Sequence, residues 1–397
     1  MRAGFGLLQG LILLFSVGVS DAAPRIVAWG AGTFVSHPLD YNNYGQSIVP
    51  GTLTNAAYVA GGWRQSLAIK SDGTLQAWGD DSVGQTDFYP EPTNCVSIAC
   101  GRLHSLALQQ NGIVLAAGDD AYGQVEVPGN LSNVVAVSAG FYHNVALKSD
   151  GTVVAWGTST NIQTIGTDPN YGQPIVPAGL SNVVAVAAGG WHTLVLKSDG
   201  TLRAWGRNDA GQASIPAGLS NVVAISAGAT HNLILKSDGT LFAWGLNTYG
   251  QTNVPAGTNV IAIAAGGWHN LALKSDGTVV AWGAGTGTNQ NVDCGQNIVP
   301  AGLSNVIQIA PGSVHSLALV GSNVPITATL VMPGFSTNGF SVTFPAQNGR
   351  VYRLEYKEQL AQTNWKALPL EAGQSPLMHL TDPAPSSAQR LYRARRW

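Results

Sequence analysis

Residues 134–157, VVAVSAGFYHNVALKSDGTVVAWG, hold the unit from which most of this chain is built. VVAVSAG, NVALK and TVVAW are short apolar runs rich in β-branched residues, each of strand length. Between the second and third sits Asp150-Gly151, a pair suited to the positive φ angles of a tight type I′ hairpin turn. A fourth, weaker extended piece runs from a Gly-Gln pair to the Val-Pro or Ile-Pro that precedes the next copy. The unit therefore reads as four short strands.

Copies of this unit fill most of the sequence. His143 recurs as His104, His192, His231, His269 and His315, with Gln65 in the same place in the earliest copy. From Gln65 to His315 the steps are 39, 39, 49, 39, 38 and 46 residues, a period of about 39 with two insertions. The closing Trp-Gly recurs at Trp29, Trp78, Trp156, Trp205, Trp244 and Trp282, and Ala117-Gly118 stands in for it once. Gly-Gln follows each of these, beginning at Gly45, Gly84, Gly123, Gly172, Gly211, Gly250 and Gly295. All three markers count to seven. Four strands in each of seven copies are the blades of an all-β, seven-bladed β-propeller. The first copy starts at Ile26 with only its Trp-Gly half, and the last, at His315, lacks that half. Residues 25–50 and about 302–320 are thus expected to share one blade, closing the ring and removing its open edges.

Composition supports this class. Charged residues are 10% of the chain, against roughly 25% in an average soluble protein, and Gly accounts for 49 of 397 residues. The net charge of −2 gives no reason to expect nucleic acid or an anionic membrane as partner. Met1-Arg2, an apolar run from about Phe5 to Val19, and Ser20-Asp21-Ala22 read as a secretory signal cut after Ala22. The run is short for a spanning helix. The expected organisation is a signal peptide over 1–22, the propeller over 23–321 and a small β-sandwich-like module over 322–397, with the protein secreted or held in the cell envelope. That module is read from ITATLVM, GFSVTF, GRVYRLEY, NWKALPL, LMHLTDP and RLYRARRW, short strands between Gly, Pro, Asn and Gln. It resembles C-terminal modules of large secreted bacterial proteins. Cys95 and Cys100 replace Val134 and Ala139 of the repeat and Cys294 replaces a Tyr, so all three read as structural rather than as a disulfide framework.

The ordered recurrence of a Val-rich strand, Ala-Gly-x-x-His-Ser-x-Ala-Leu, Asp-Gly, Trp-Gly and Gly-Gln resembles the regulator of chromosome condensation repeat, over about 300 residues. The resemblance implies a seven-bladed propeller but no shared chemistry: members include a nuclear exchange factor for a small GTPase, a plant ultraviolet photoreceptor based on tryptophans, and a secreted bacterial inhibitor of β-lactamases. Fold does not give function here. The expected export separates this chain from nuclear GTPases, and no wedge-like insertion is visible. Trp63-Arg64 is similar to the photoreceptor's Gly-Trp-Arg-His segments, but only Arg64, Arg102 and Arg207 lie near repeat loops, so its Arg-rich aromatic cage is not expected. The secreted, inhibitor-like members are nearest in kind.

With strands A to D in each blade, the A–B and C–D turns share one face and the B–C and D–A turns the other. The second face is monotonous, built of Ser-Asp-Gly-Thr and Pro-Ala-Gly-Leu-Ser-Asn segments. The first is varied: its A–B turns carry Trp63, Arg64, Arg102, Phe141, Tyr142, Trp191 and Trp268, and the insertions 31–44, 158–171 and 284–294 emerge there. Aromatics and arginines gathered on one rim suit a protein-binding hot spot. The same rings also suit stacking on sugars, or packing between blades. Equivalent His residues on separate blades are held too far apart to share a zinc ion, and each is expected to bond neighbouring backbone instead. No metal, cofactor or catalytic set is expected, although His37, Asp40, Asp168 and Asp293 lie in inserted loops. The expectation is a secreted, non-enzymatic scaffold for an extracellular or envelope protein; the alternative is a carbohydrate- or envelope-binding protein with weak hydrolase or lyase activity from the inserted loops.

Overall fold

The computed structural model describes residues 24–31, 43–158, 169–257, 259–285, 292–321, 332–336, 339–345, 351–357, 366–373, 377–382 and 391–396. The expected signal peptide lies outside them. The first strand, β1, is Arg25–Gly30; the next blade follows with β2 (Ala56–Gly61), β3 (Gln65–Lys70) and β4 (Leu75–Gly79). Then come β5 (Cys95–Cys100), β6 (His104–Gln109), β7 (Val114–Gly118), β8 (Val134–Ala139), β9 (His143–Lys148) and β10 (Val153–Gly157). The fourth, fifth and sixth blades comprise β11 (Val183–Ala188), β12 (His192–Lys197), β13 (Leu202–Gly206), β14 (Val222–Ala227), β15 (His231–Lys236), β16 (Leu241–Gly245), β17 (Val260–Ala265), β18 (His269–Lys274) and β19 (Val279–Gly283). The seventh has β20 (Val306–Pro311) and β21 (His315–Val320) and takes β1 as its third strand, Arg25 opposite Val320 and Gly30 opposite His315.

Each blade is a three-stranded antiparallel sheet, not the four-stranded one expected. The stretch that begins at Gly-Gln turns instead of extending. Its Gly holds φ near +77° at Gly45 and +75° at Gly123, a region open chiefly to glycine. The following Gln side chain then accepts the amide two residues upstream, as Gln46 does from Tyr44 (2.9 Å) and Gln124 from Tyr122 (2.7 Å). Pro50, Pro128 and Pro177 come next and have no N–H for a ladder. The hairpin turn also differs from expectation. Gly151 has φ +80° but Asp150 is not in the left-handed region. Gly151 donates to Lys148 (2.9 Å) and Lys148 to Thr152 (2.9 Å), which makes a type I turn closed by a left-handed Gly. Asp150 accepts both the amide (2.9 Å) and the hydroxyl (2.6 Å) of Thr152; these bonds hold its carboxyl below the usual range.

The repeated His joins blades. His104 Nε2 meets Asn144 Oδ1 on the next blade at 2.8 Å, and the pattern continues as His143–Thr193, His192–Asn232, His231–Asn270, His269–Ser316 and His315–Ser66. Gln65 substitutes by donating to the carbonyls of Gly101 and His104. The side chain that meets each His passes a hydrogen on to a Gln carbonyl: Asn144 to Gln124 (2.8 Å), Thr193 to Gln173 (3.1 Å), Ser316 to Gln296 (2.9 Å). Trp156 and Trp29 donate to the carbonyls of Gln124 (3.1 Å) and Gln296 (2.8 Å) as well. Since the hydroxyls of Thr193 and Ser316 give their one proton to Gln, the His must donate from Nε2, and this assigns the neutral tautomer with Nδ1 as a bare acceptor. The expectation of a backbone partner is thus corrected: the His bonds a side chain across the blade interface. The Gly three residues earlier makes room. A Cβ at Gly228 would lie 2.2 Å from the His231 ring and 2.6 Å from the Gly266 carbonyl of the next blade.

The remaining strands form two antiparallel sheets. One has the order β22 (Met332–Ser336), β23 (Gly339–Pro345), β27 (Leu377–Asp382). In the other, β24 (Val351–Lys357) pairs with β25 (Lys366–Ala367), β26 (Glu371–Ala372) and β28 (Leu391–Arg396). Leu370 of this region is buried. It donates its amide to Ser149 (2.9 Å), in the hairpin turn of the third blade, and joins the apolar cluster of Val135, Val183 and Val184. Cys95, Cys100 and Cys294 are free thiols; burial pushes Cys95 up to about 11 and Cys100 higher still.

The six interface histidines are fully buried, and loss of hydration is the largest cause that lowers their pKa values, to about 4 at His104, His192 and His231 and about 3 at His143, His269 and His315. An unfolded His titrates near 6.5. Between about pH 6.5 and 4 the unfolded chain therefore holds protons that the folded chain refuses, and stability falls as pH falls. Urea unfolding at pH 5 should take up close to six protons, and His231→Gln, which copies the natural Gln65, should lower that number by one. Stability unchanged from pH 7 to 4.5 would refute the neutral-histidine ring.

Candidate functional site

Between the Gly that permits blade contact and the His that makes it lie two residues whose side chains take no part in the His bond. These pairs sit at one end of the ring. The backbones of the turns bond each other around the axis: Ser313 N to Gly62 O (2.9 Å), Trp63 N to Gly101 O (3.2 Å), Phe141 N to Gly190 O (3.2 Å), Ala229 N to Gly267 O (3.1 Å) and Gly267 N to Gly312 O (3.2 Å). They surround an axial cavity of about 70 Å³ lined mostly by Gly and Ala, with Trp63, Cys100, Phe141, Pro311 and Ser313. The segment leaving the third strand of each blade returns to the same turn. Asp80 N donates to Arg64 O, Thr158 N to Tyr142 O, Arg207 N to Trp191 O, Ala284 N to Trp268 O and Ala31 N to Val314 O, all at 2.9 Å. The roots of the three insertions are therefore at this end, while residues 32–42, 159–168 and 286–291, with His37, Asp40 and Asp168, lie outside the described residues. Asp293 accepts the amide of Gly285 (2.7 Å) and so braces its own loop.

Of the rim residues named from sequence, Trp63, Arg64, Arg102, Phe141, Tyr142 and Trp191 come together in one band across four blades, each half-buried. The Arg64 guanidinium lies over the rings of Tyr44 (4.4 Å) and Trp63 (4.2 Å). Arg102 lies over Trp63 (4.2 Å) and Tyr142 (5.3 Å) and donates to the Tyr142 hydroxyl. Phe141 meets Trp191 edge-on (4.8 Å, 71°), and Tyr122 meets Tyr142 likewise (5.3 Å, 79°). At the far end Arg207 lies 5.1 Å from both the Trp191 and Tyr171 ring centres, while its Nε donates to Asp209 (2.9 Å). That bond holds the Asp209 carboxyl below its usual range. Trp268 is on the sixth blade, where the adjoining turns offer Ala229-Thr230 and Ser313-Val314, and it has no ring partner among the described residues.

Three arginines suffice for an alternating cation–aromatic array, because the period of the ring places Arg64, Arg102 and Arg207 beside aromatics of neighbouring turns. Sequence reasoning also missed Tyr44, Tyr122 and Tyr171. Their signal was present, since Tyr precedes Gly-Gln at each of them, but only the fold carries that position to the rim. Among the described residues no three His, Cys, Asp or Glu side chains converge on one point. The repeated Asp residues of the opposite face are bonded to Thr, as at Asp199–Thr201 and Asp238–Thr240.

Residues 95–124, 134–163, 183–212, 222–251 and 260–296 match the model of the Regulator of chromosome condensation (RCC1) repeat. Among solved structures, Prp20p of Saccharomyces cerevisiae is similar with a TM-score of 0.60 and 21% identity, covering 76% of this chain and 92% of that one. Human WBSCR16 gives 0.57 and 22%, over 76% and 100%, and the CRINKLY WD40 ectodomain of the Arabidopsis thaliana receptor kinase ACR4 gives 0.50 and 20%, over 65% and 88%. At such identities these likenesses establish the fold alone. No protein of curated function matches the chain in sequence.

Two classes of Trp should separate on mutation. Trp156 is buried and bonded to Gln124, so Trp156→Ala should cost about 3–5 kcal/mol in urea unfolding. Trp63→Ala removes two cation–π contacts of about 0.5–1 kcal/mol each and should cost no more than about 2 kcal/mol. Equal losses would make Trp63 a core residue.

Proposed function

The chain belongs to the regulator of chromosome condensation (RCC1) repeat family, and from that premise we propose that it is a secreted, non-enzymatic propeller that holds a protein partner against the rim of Trp63, Arg64, Arg102, Phe141, Tyr142, Trp191 and Trp268. Tryptophan, tyrosine and arginine at the centre of a rigid surface are the residues that dominate protein-binding energy. Two of the similar structures concern protein partners: Prp20p is described with its binding to Gsp1p and histones, and yeast RCC1 (Prp20) is described bound by Kap60. Secretion rests on the leader-like residues 1–22 of the sequence.

The observation that carries the choice of partner class is the angle between rings. A sugar stacks on an open aromatic face. Here Tyr122 and Tyr142 meet at 79°, Phe141 and Tyr142 at 87°, and Phe141 and Trp191 at 71°, while two guanidiniums lie over Trp63. The rim is a relief of edges and cations, suited to interdigitating with side chains. A non-catalytic role accords with the histidines, since each interface His is buried, neutral and turned to the next blade.

The fourfold variant with Trp63, Tyr142, Trp191 and Trp268 all replaced by Ala should fold, with a far-ultraviolet spectrum like that of the parent chain, and should lose the partner that the parent chain captures from extracellular medium, read by mass spectrometry. Capture of the same partner by both proteins would sink the face assignment. Binding on a glycan array, abolished by the same four changes, would replace the protein reading with the carbohydrate one.

A further inference from the structure

Among the described residues, one cation of the rim has no carboxylate partner. Arg64 has its guanidinium over two rings, Tyr44 at 4.4 Å and Trp63 at 4.2 Å. Stacking of this kind uses the faces of the guanidinium and leaves its in-plane N–H groups at the edge, where a carboxylate binds in bidentate fashion. The Nε of Arg64 is buried and has no hydrogen-bond partner. Buried donors are ordinarily paired. The ion pairs among the described residues are Lys148–Asp150, Lys197–Asp199 and Arg207–Asp209, so no described carboxylate reaches Arg64.

The acids of the adjoining loops bond within those loops and none pairs with Arg64, although the second carboxylate oxygen of Asp80 is buried without a partner. Asp80 Oδ1 accepts from Ser82 N (3.1 Å), Asp81 from Thr86 N (2.9 Å), Asp120 from Val125 N (3.0 Å), and Asp119 from Ala121 N (3.3 Å) and Gln124 Nε2 (3.1 Å). At the other end of the band Arg207, also set over two rings, does bind a carboxylate at its edge, that of Asp209. The chain thus shows on itself what such an arginine accepts.

We propose that Arg64 is the receptor for an acidic side chain of the protein partner: one Asp or Glu carboxylate lies in the plane of the Arg64 guanidinium, and an apolar residue beside it packs against the edges of Trp63 and Tyr142. This rests on the rim being the docking face. It adds the chemistry of the partner's central contact, an acid flanked by an apolar side chain. The charge complementarity also speeds encounter and makes binding sensitive to salt.

A random peptide library panned on the whole chain tests this without knowledge of the natural partner. Enriched peptides should carry an Asp or Glu whose change to Asn or Gln weakens binding about 10-fold or more. Arg64→Lys, which keeps the charge but loses the planar fork, should give a similar loss on its own. Applying both changes together should cost little more than either one. Enrichment of peptides without an acid, failure to enrich any, or Arg64→Lys affinity within about twofold of the parent, an effect too small for a coupled pair, would overturn it. If the fourfold aromatic variant loses the peptides while Arg64→Lys keeps them, the docking face stands and only the carboxylate assignment falls. If the fourfold variant keeps them, the face itself is wrong.

Discussion

Everything in the ring depends on one bond, from a histidine Nε2–H to a side chain on the next blade. A sheet of three short strands cannot bury its own faces, so each blade needs its neighbours, and the bond sets how they meet. It links three separate parts of the repeat: the His that donates, the Asn, Ser or Thr that receives, and the Gln carbonyl that takes the next hydrogen along with the Trp indole. Because His315 meets Ser66 and Trp29 meets the Gln296 carbonyl, the first strand and the last two are held in the same scheme as the rest. The requirement for close contact in turn explains the Gly three residues before each His, where a methyl group would strike both the imidazole and the neighbouring backbone.

That arrangement separates scaffold from surface within a few residues. In Gly140-Phe141-Tyr142-His143 the outer two positions are committed to blade contact, and the inner two point into a rim whose backbone is already tied around the axis. Rigid turns let aromatic and arginine side chains differ from blade to blade without disturbing the ring. The result is a band that spans four blades on contacts between neighbouring turns, with cations between rings and rings edge-on to one another. The opposite end is different in kind. Its turns repeat because each Asp must cap its own Thr, and at the third blade that end is taken up by Leu370.

Much of this is legible in the chain itself. Seven registers of His, Trp-Gly and Gly-Gln give the number of blades, and the complementary halves at Ile26 and His315 predict a strand from one end of the chain beside strands from the other. The repeat spacing also argues against a shared metal site, because histidines on separate blades cannot meet at one point. Less legible are features whose partners lie in other copies. Gln46 reads as the start of a strand, yet its side chain closes a turn and its carbonyl serves Trp78 and Ser66. The Asp-Gly pair does not make the type I′ turn its residue types suggest, because Asp150 is held by Thr152 in an ordinary conformation and only Gly151 is left-handed.

Periodicity is written in the sequence because each blade must satisfy the same contacts, so the fold class, the blade count and the scaffold role of the repeated His follow from composition and spacing alone. Which rim residues touch one another was decided only in three dimensions. Trp63 and Arg102 are 39 residues apart, and Arg207 and Tyr171 are 36 apart; no local pattern pairs them. They meet because ring geometry brings equivalent turns of adjacent blades side by side, and it is that lateral neighbourhood, absent from the linear repeat, that turns scattered side chains into a surface.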